Sequence, residues 1–290
     1  MEKAQDAVPA QKSRGGAFQE NIKTAKKAAR ANARLLLKGL SAAEREEQSQ
    51  KAAASFLNSS IYKSSECVAA FFSLADEVDA FPIIARAFID KKRVLLPRIV
   101  AGSNAMDFYE LAVPLGLASD FSAAPVLGVE SVSDNAAPVF GVESVSESAA
   151  QVTVLQSLKA RGLEASPKSG GLIFGSPGLS DDSALASALG SQTEANAWGI
   201  REPLATLPLV SKEKIPARTA ILVPGLAFCK DGRRLGRGKG FYDRYLSELV
   251  AQNAAFAERG KICGYCMAAQ LSENVPTEES NVRVQELFCG

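Results

Sequence analysis

The chain has no histidine among its 290 residues. That removes the commonest general base near neutral pH and the commonest zinc ligand. Aromatics are sparse at 7%, with a single tryptophan. No run approaches the roughly 20 apolar residues of a membrane span. The formal net charge of +1 is too balanced to point to general nucleic-acid or membrane-surface binding. The five cysteines are an odd, scattered set, which fits a reducing compartment better than a disulfide framework. The opening stretch, MEKAQDAVPAQKSRGGAFQE, holds no apolar core of a signal peptide, so the cytoplasm is the expected location. Carboxylates, lysine, arginine, tyrosine, cysteine and bound ions are what remain for chemistry. With 47% hydrophobic and 22% charged residues, the composition is that of an ordinary globular chain.

The most informative stretch is basic and glycine-rich: Arg233–Leu246, RRLGRGKGFYDRYL. Gly236, Gly238 and Gly240 alternate with Arg237 and Lys239. An apolar run, Thr219–Gly225, precedes it. An amphipathic run follows, with Phe241, Tyr245, Leu246 and Leu249 at helical spacing. The expected order is strand, basic loop, helix. Glycines permit positive φ angles and close backbone approach, and a helix N-terminus offers N–H groups and a positive dipole end. Such a loop can cradle a phosphate. Asp243, in the first helical turn, is placed to hold a Mg2+ that bridges to phosphate. The loop is neither GxGxxG nor GxxxxGK[ST], so its residues alone leave open both phosphate binding and a plain glycine-rich turn.

Elsewhere, residues 1–20 read as a flexible polar tail, and the pattern becomes helical from Asn21. Ser41-x-x-Glu44 is a capping box that opens a second helix. Lys26 and Arg30 share one helical face, which by itself reads as solvated. CVAAFFS (67–73), RVLLPRIV (93–100), MDFYEL (106–111) and KICGYCMA (261–268) read as strands, with 281–284 as the last one. Asp79 is a candidate helix cap. Glu77 lies beside it, just past a strand's C-terminal end, the edge where α/β sheets bind ligands. Cys263-x-x-Cys266 does not read as a redox or zinc pair, because residues three apart in a strand face opposite sides. From 112 to 196 the chain is rich in Ala, Ser, Val and Gly, with AAPVLGVESVSDN (123–135) repeated as AAPVFGVESVSES (136–148). Two copies are too few for a solenoid, which needs at least about three. The stretch is expected to be a mostly flexible low-complexity insertion, with a short helix in 152–161 and a strand at 171–174; a small binding module is the alternative. Trp198, in WGIREP (198–203), is either a core filler or a stacking surface for a flat ring.

LVPGLAF (222–228) followed by DGRRLGRGKGFYDRYL (231–246) closely resembles the 5-formyltetrahydrofolate cyclo-ligase family, also called methenyltetrahydrofolate synthetases. That family shows a PGxAF strand end and then RLGxGxGxYDRxL. KKAAR (26–30) is similar to its opening KxxxR helix, EVDA (77–80) to its E[VI][DE]T, WGIREP to its GI.EP string, and Gln270 and Pro276 to its Q…P spacing. The resemblance covers about 20–111 and 198–287. It implies a three-layer α/β fold with a central mixed, largely parallel sheet and helices on both faces. One domain over 21–290 would be interrupted by the insertion.

The resemblance also implies an ATP- and Mg2+-dependent enzyme that converts 5-formyltetrahydrofolate to 5,10-methenyltetrahydrofolate, releasing ADP and phosphate. It assigns catalysis to Arg237 and Lys239. Nucleotide contacts fall to Lys26, Arg30, Arg234, Leu235, Gly236, Arg237, Gly238, Lys239, Gly240, Phe241 and Tyr242. Folate contacts fall to Phe72, Glu77 and Trp198 with Arg237, Gly238, Lys239, Gly240 and Phe241. The metal falls to Asp243 and Asn281. A small-molecule folate is the expected partner of a monomer, with no nucleic acid and no membrane.

Several positions depart from the family pattern. Cys229 stands where the family has Asp, Ser280-Asn281-Val282 where it has His-Asp-Val or Asn-Asp-Met, Phe241 for the first Tyr of GYYD, and Ala80 for Thr. Asn281 offers a carbonyl oxygen but no charge. The alternative reading is therefore a diverged family member that binds folate or nucleotide without turnover. Nucleic-acid binding through Arg233, Arg234, Arg237, Lys239 and Arg244 is a third reading, weakened by the balanced charge elsewhere.

Overall fold

The computed structural model describes residues 12–112, 187, 189–196 and 199–290. The expected helix in 152–161, the strand at 171–174 and Trp198 lie outside them. The chain divides into two compact units, Met1–Ala112 with Thr193–Gly290, and Val113–Gln192. The first unit carries everything that follows.

Its helices are α1 (Lys12–Gly39), α2 (Ala42–Asn58), α3 (Ser60–Ser64), α4 (Phe81–Ile89), α5 (Phe241–Gln252) and α6 (Ala254–Arg259). Its strands are β1 (Cys67–Ala69), β2 (Arg93–Ile99), β3 (Met106–Glu110), β4 (Thr193–Ala195), β5 (Arg201–Pro203), β6 (Leu209–Val210), β7 (Thr219–Val223), β8 (Ala227–Phe228), β9 (Arg234–Leu235), β10 (Lys261–Cys266) and β11 (Glu286–Cys289). Helix α1 starts at Lys12, nine residues ahead of the expected Asn21. Lys, Gln and Glu are good helix formers, so a polar stretch need not be a tail. The Ser41 capping box opens α2 as expected: Glu44 N–H donates to Ser41 Oγ at 3.2 Å, and Ser41 N–H to Glu44 Oε2 at 2.8 Å.

Seven strands form one sheet in the order β11-β10-β7-β1-β2-β3-β6. The pairs from β11 to β2 are parallel, while β2–β3 and β3–β6 are antiparallel. This is the mixed, largely parallel sheet the resemblance implied. The runs of β1 and β7, apolar but for Thr219, are buried throughout, as strands covered on both faces must be. On one face, Cys67, Ala69, Ile221, Val223 and Ile262 pack against Tyr245, Leu246 and Leu249 of α5 and Phe256 of α6. On the other, Phe56 of α2 meets Phe288 of β11 edge-on at 5.0 Å, and Tyr265 of β10 donates its hydroxyl to Asp79 O at 2.8 Å. Gly264 in β10 is a packing requirement, since a Cβ there would stand 2.7 Å from Leu287 Cδ1.

One expectation changes and another is met. Residues 281–284 form no strand; β11 begins at Glu286. The 281–284 stretch spends its polar groups on other partners: Val282 N–H donates to Asp243 Oδ1 and Val284 N–H to Gly232 O. Asp79 caps α4 through the Phe81 N–H at 2.9 Å, although Ala80 is the formal N-cap residue and bonds nothing with its side chain. All five cysteines are free thiols, and burial pushes Cys263 up to about 12.

Asn253 joins α5 to α6. It is buried, accepts the Phe256 N–H at 2.9 Å, and donates to Lys212 O at 2.8 Å and Ile215 O at 2.9 Å. Asn253→Ala would strip a helix cap and take a donor from two carbonyls, of which Lys212 O would keep only the Ile215 N–H at 3.3 Å. We expect a loss of about 3 kcal/mol in urea denaturation, against about 1 kcal/mol for Ser41→Ala at an exposed cap.

Candidate functional site

Strand β1 has β2 on one side and β7 on the other, so the chain order reverses between β1 and β7. The crevice outside the C-terminal ends of strands at such a reversal is where open α/β sheets bind ligands. A cavity of about 320 Å³ lies there. Phe71, Phe72 and Leu74 enter it just after β1, and Pro224 and Gly225 just after β7. Pro97, Ile99 and Met106 give it an apolar wall. Its charged residues are Glu77, Arg201, Glu202, Arg234, Arg237, Lys239 and Asp243.

The glycine-rich loop borders this cavity. Gly238 has φ +107° and Gly240 φ +71°, conformations that suit glycine. A Cβ on Gly238 would stand 3.3 Å from the guanidinium carbon of Arg30. Arg30 lies across the loop and donates from Nε to Gly236 O at 2.9 Å. Burial lowers the Arg30 pKa, and Arg34 adds to the effect. Helix α1 therefore meets the loop through Arg30, the last cation of KKAAR. The first, Lys26, reaches a different partner: its Nζ donates to Asn281 Oδ1 at 2.8 Å and pairs with Glu278 at 3.1 Å.

Arg237 is held from the far side of the cavity. Its Nε donates to Glu77 Oε1 at 2.9 Å and its Nη2 to Asp76 Oδ1 at 2.5 Å. Burial works against the Arg237 charge, but these two carboxylates outweigh it and hold the pKa above its ordinary value. Glu77 also accepts the Leu74 N–H at 3.0 Å. Burial still raises the Glu77 pKa, with Arg237 pulling the other way. Asp76 is the site residue that sequence reading missed, and its only signal was adjacency to Glu77. Lys239 is exposed and makes no ion pair among the described residues.

Arg234 is buried, its side chain 3% exposed, and its Nη2 pairs with Asp243 Oδ1 at 2.7 Å. Burial lowers the Arg234 pKa while Asp243 opposes the shift. Arg234 thus supports the loop from beneath. Leu235, also expected at the nucleotide, is 1% exposed and its side chain belongs to the core. Tyr242 lines the cavity with its hydroxyl unpartnered among the described residues, and burial raises its pKa.

Of the two residues expected at the metal, only one has a carboxylate oxygen to offer. Asp243 engages Arg234 and the Val282 N–H through Oδ1, which leaves Oδ2 without a hydrogen bond. One carboxylate oxygen fits Mg2+, which is commonly bound by one or two carboxylates with phosphates and water. Asn281 does not fit. Its Oδ1 already accepts from Lys26 Nζ and from the Glu278 N–H at 2.8 Å, and an ammonium sits where a second cation would have to go. No group of three or more carboxylate or thiol side chains suited to a metal occurs among the described residues. No helix among them is long and apolar enough to cross a membrane.

A model of the 5-formyltetrahydrofolate cyclo-ligase family matches residues 22–138 and 172–290. Beyond residues 1–21, the unmatched residues are 139–171, inside the expected insertion, and the match runs into that insertion from both sides. Among curated proteins, the chain is similar to 5-formyltetrahydrofolate cyclo-ligase of Mus musculus, 39% identical over 72 residues, 23% of this chain and 32% of that protein. It is also similar to the probable 5-formyltetrahydrofolate cyclo-ligase of Caenorhabditis elegans, 34% identical over 92 residues, 31% of this chain and 43% of that protein. The matched stretches thus span less than half the length of these relatives. Among solved structures, it is similar to 5,10-methenyltetrahydrofolate synthetase of Aquifex aeolicus, with a TM-score of 0.52 at 21% identity over 90% of this chain and 88% of that one. This last likeness concerns the fold.

Two outcomes follow from the charges. Asp243→Ala would leave Arg234 buried without its carboxylate and should cost about 3 kcal/mol in urea denaturation. The Glu77 pKa is raised on folding, so its ionised form costs stability above the folded pKa, and that cost vanishes below its ordinary value. The melting temperature of Glu77→Gln relative to the unsubstituted protein should therefore be higher at pH 8 than at pH 4.

Proposed function

The chain belongs to the 5-formyltetrahydrofolate cyclo-ligase family, and from that membership we propose that it converts 5-formyltetrahydrofolate to 5,10-methenyltetrahydrofolate at the expense of ATP. One observation carries the reading. The apolar cavity at the β1–β7 reversal is bordered by a positive-φ glycine loop bearing Arg237 and Lys239. It joins a surface for a flat ring to a cradle for an anion.

The chemistry suits a chain without histidine. A formamide oxygen is a poor leaving group. Phosphorylating it makes it a good one, and the neighbouring N10 amine can then close the ring. Phosphoryl transfer depends on positioning and charge neutralisation more than on a dedicated base. Phe72 and Phe241 face the pterin, and the Glu77 carboxylate accepts from its N–H groups. Asp76 and Glu77 hold one edge of Arg237, so its Nη1 is left for a phosphoryl oxygen. Lys239 brings a mobile charge to the same oxygens. When bound, Mg2+ supplies further neutralisation of the phosphates, and Asp243 Oδ2 is the oxygen to hold it.

A second reading, binding of folate or nucleotide without turnover, is favoured by one observation: the Asn281 amide oxygen is committed to Lys26. The two readings separate in one assay. Protein is mixed with 5-formyltetrahydrofolate, ATP and Mg2+, and methenyltetrahydrofolate is followed by its ultraviolet absorbance. Product should need all three components. Calorimetric binding of both ligands without product would favour the second reading. Lys239→Ala removes an exposed side chain and should change stability by less than about 0.5 kcal/mol. It should cut turnover by roughly a hundredfold or more; an unchanged rate would remove Lys239 from the chemistry.

A further inference from the structure

Lys26 is the one buried lysine among the described residues, 8% exposed. Its ammonium is met by a tight turn. The Asn281 N–H donates to Glu278 O at 3.0 Å, and the Glu278 N–H donates to Asn281 Oδ1 at 2.8 Å. This closed turn presents two oxygens to Lys26: Asn281 Oδ1 at 2.8 Å and Glu278 Oε1 at 3.1 Å. The Glu278 side chain is 42% exposed, so water and solutes can reach the pair. The same carboxylate acts on the charge of Arg30, the other cation of this helix face. The next residue, Val282, donates its N–H to Asp243 Oδ1. One short segment therefore touches both Lys26, which the family resemblance assigns to the nucleotide, and Asp243, which the proposed function assigns to the metal.

We propose that Glu278 is a built-in substitute for a phosphate on Lys26, and that it sets the protein's affinity for nucleotide. The inference rests on the nucleotide role given to Lys26 above. A carboxylate and a phosphate are both oxyanions that seek the same ammonium donors. An arriving phosphate must either displace Glu278 or settle beside it against like-charge repulsion. Both routes weaken binding. The Asn281 amide keeps the turn closed, and so keeps the Glu278 carboxylate in place.

The test is calorimetric titration of the full chain with ATP, and with tripolyphosphate as a probe of the phosphates alone. Glu278→Gln keeps the shape and removes the charge. It should bind both probes roughly threefold to tenfold more tightly, the size expected for a half-exposed pair. Glu278→Asp keeps the charge but shortens its reach, and should fall between. The gain should vanish in a Lys26→Met background. Equal or weaker binding by Glu278→Gln would overturn the proposal. So would an absence of binding to either protein, since no phosphate would then reach Lys26. The folate assay reads separately: product without an affinity gain removes this role of Glu278 alone, and an affinity gain without product removes the catalytic reading alone.

Discussion

The buried ion pair between Arg234 and Asp243 is the constraint on which the site depends. Arg234 belongs to β9, before the glycine loop, and Asp243 to the first turn of α5, after it. Their 2.7 Å contact ties the two ends of the loop together. Burying a guanidinium is costly unless its charge is met, and one pair does not meet all of its donors. Arg234 Nε has no hydrogen-bond partner among the described residues. Such a pair contributes little net stability, yet losing either partner is expensive. It therefore specifies the loop's geometry. Asp243 extends the constraint to the C-terminal segment by accepting the Val282 N–H.

Around this pair the cations of the loop and of α1 are mostly held. Arg237 is gripped by Asp76 and Glu77, and Arg30 by a loop carbonyl. Lys26 is engaged by the 278–281 turn. Lys239 stands apart, with no ion pair among the described residues. Charges already oriented when a ligand arrives need little reorganisation, which is how a preorganised polar site favours a charged transition state. A cluster of like charges also needs counter-charge when empty. Asp76, Glu77 and Glu278 supply it, at positions where an anionic ligand must contend with them.

Much of this was legible in residue order. The apolar run Thr219–Val223, the alternating glycines and the spacing of Phe241, Tyr245, Leu246 and Leu249 announce strand, loop and helix, because each is a local pattern with its own period. The Ser41–Glu44 box and the Asp79 cap were visible for the same reason. The stretch 281–284 misled, because an alternation of apolar and polar residues says nothing about whether a neighbouring strand is there to pair with it.

By itself the sequence determined the strand, loop and helix around the glycines, the resemblance to a folate-converting family and the presence of cations beside a flexible-backbone loop. These follow from spacings of a few residues. Only the tertiary structure decided what each charge does. Arg237 meets Glu77 across 160 positions, and Lys26 meets Asn281 across 255. No local pattern encodes such partners. That Arg234 is a buried strut, that Asp76 shares the grip on Arg237, and that Asn281 serves a lysine in place of a metal all depend on which surfaces the sheet and helices bring together. Ion pairs form wherever packing leaves two opposite charges within reach, and packing is a property of the whole chain.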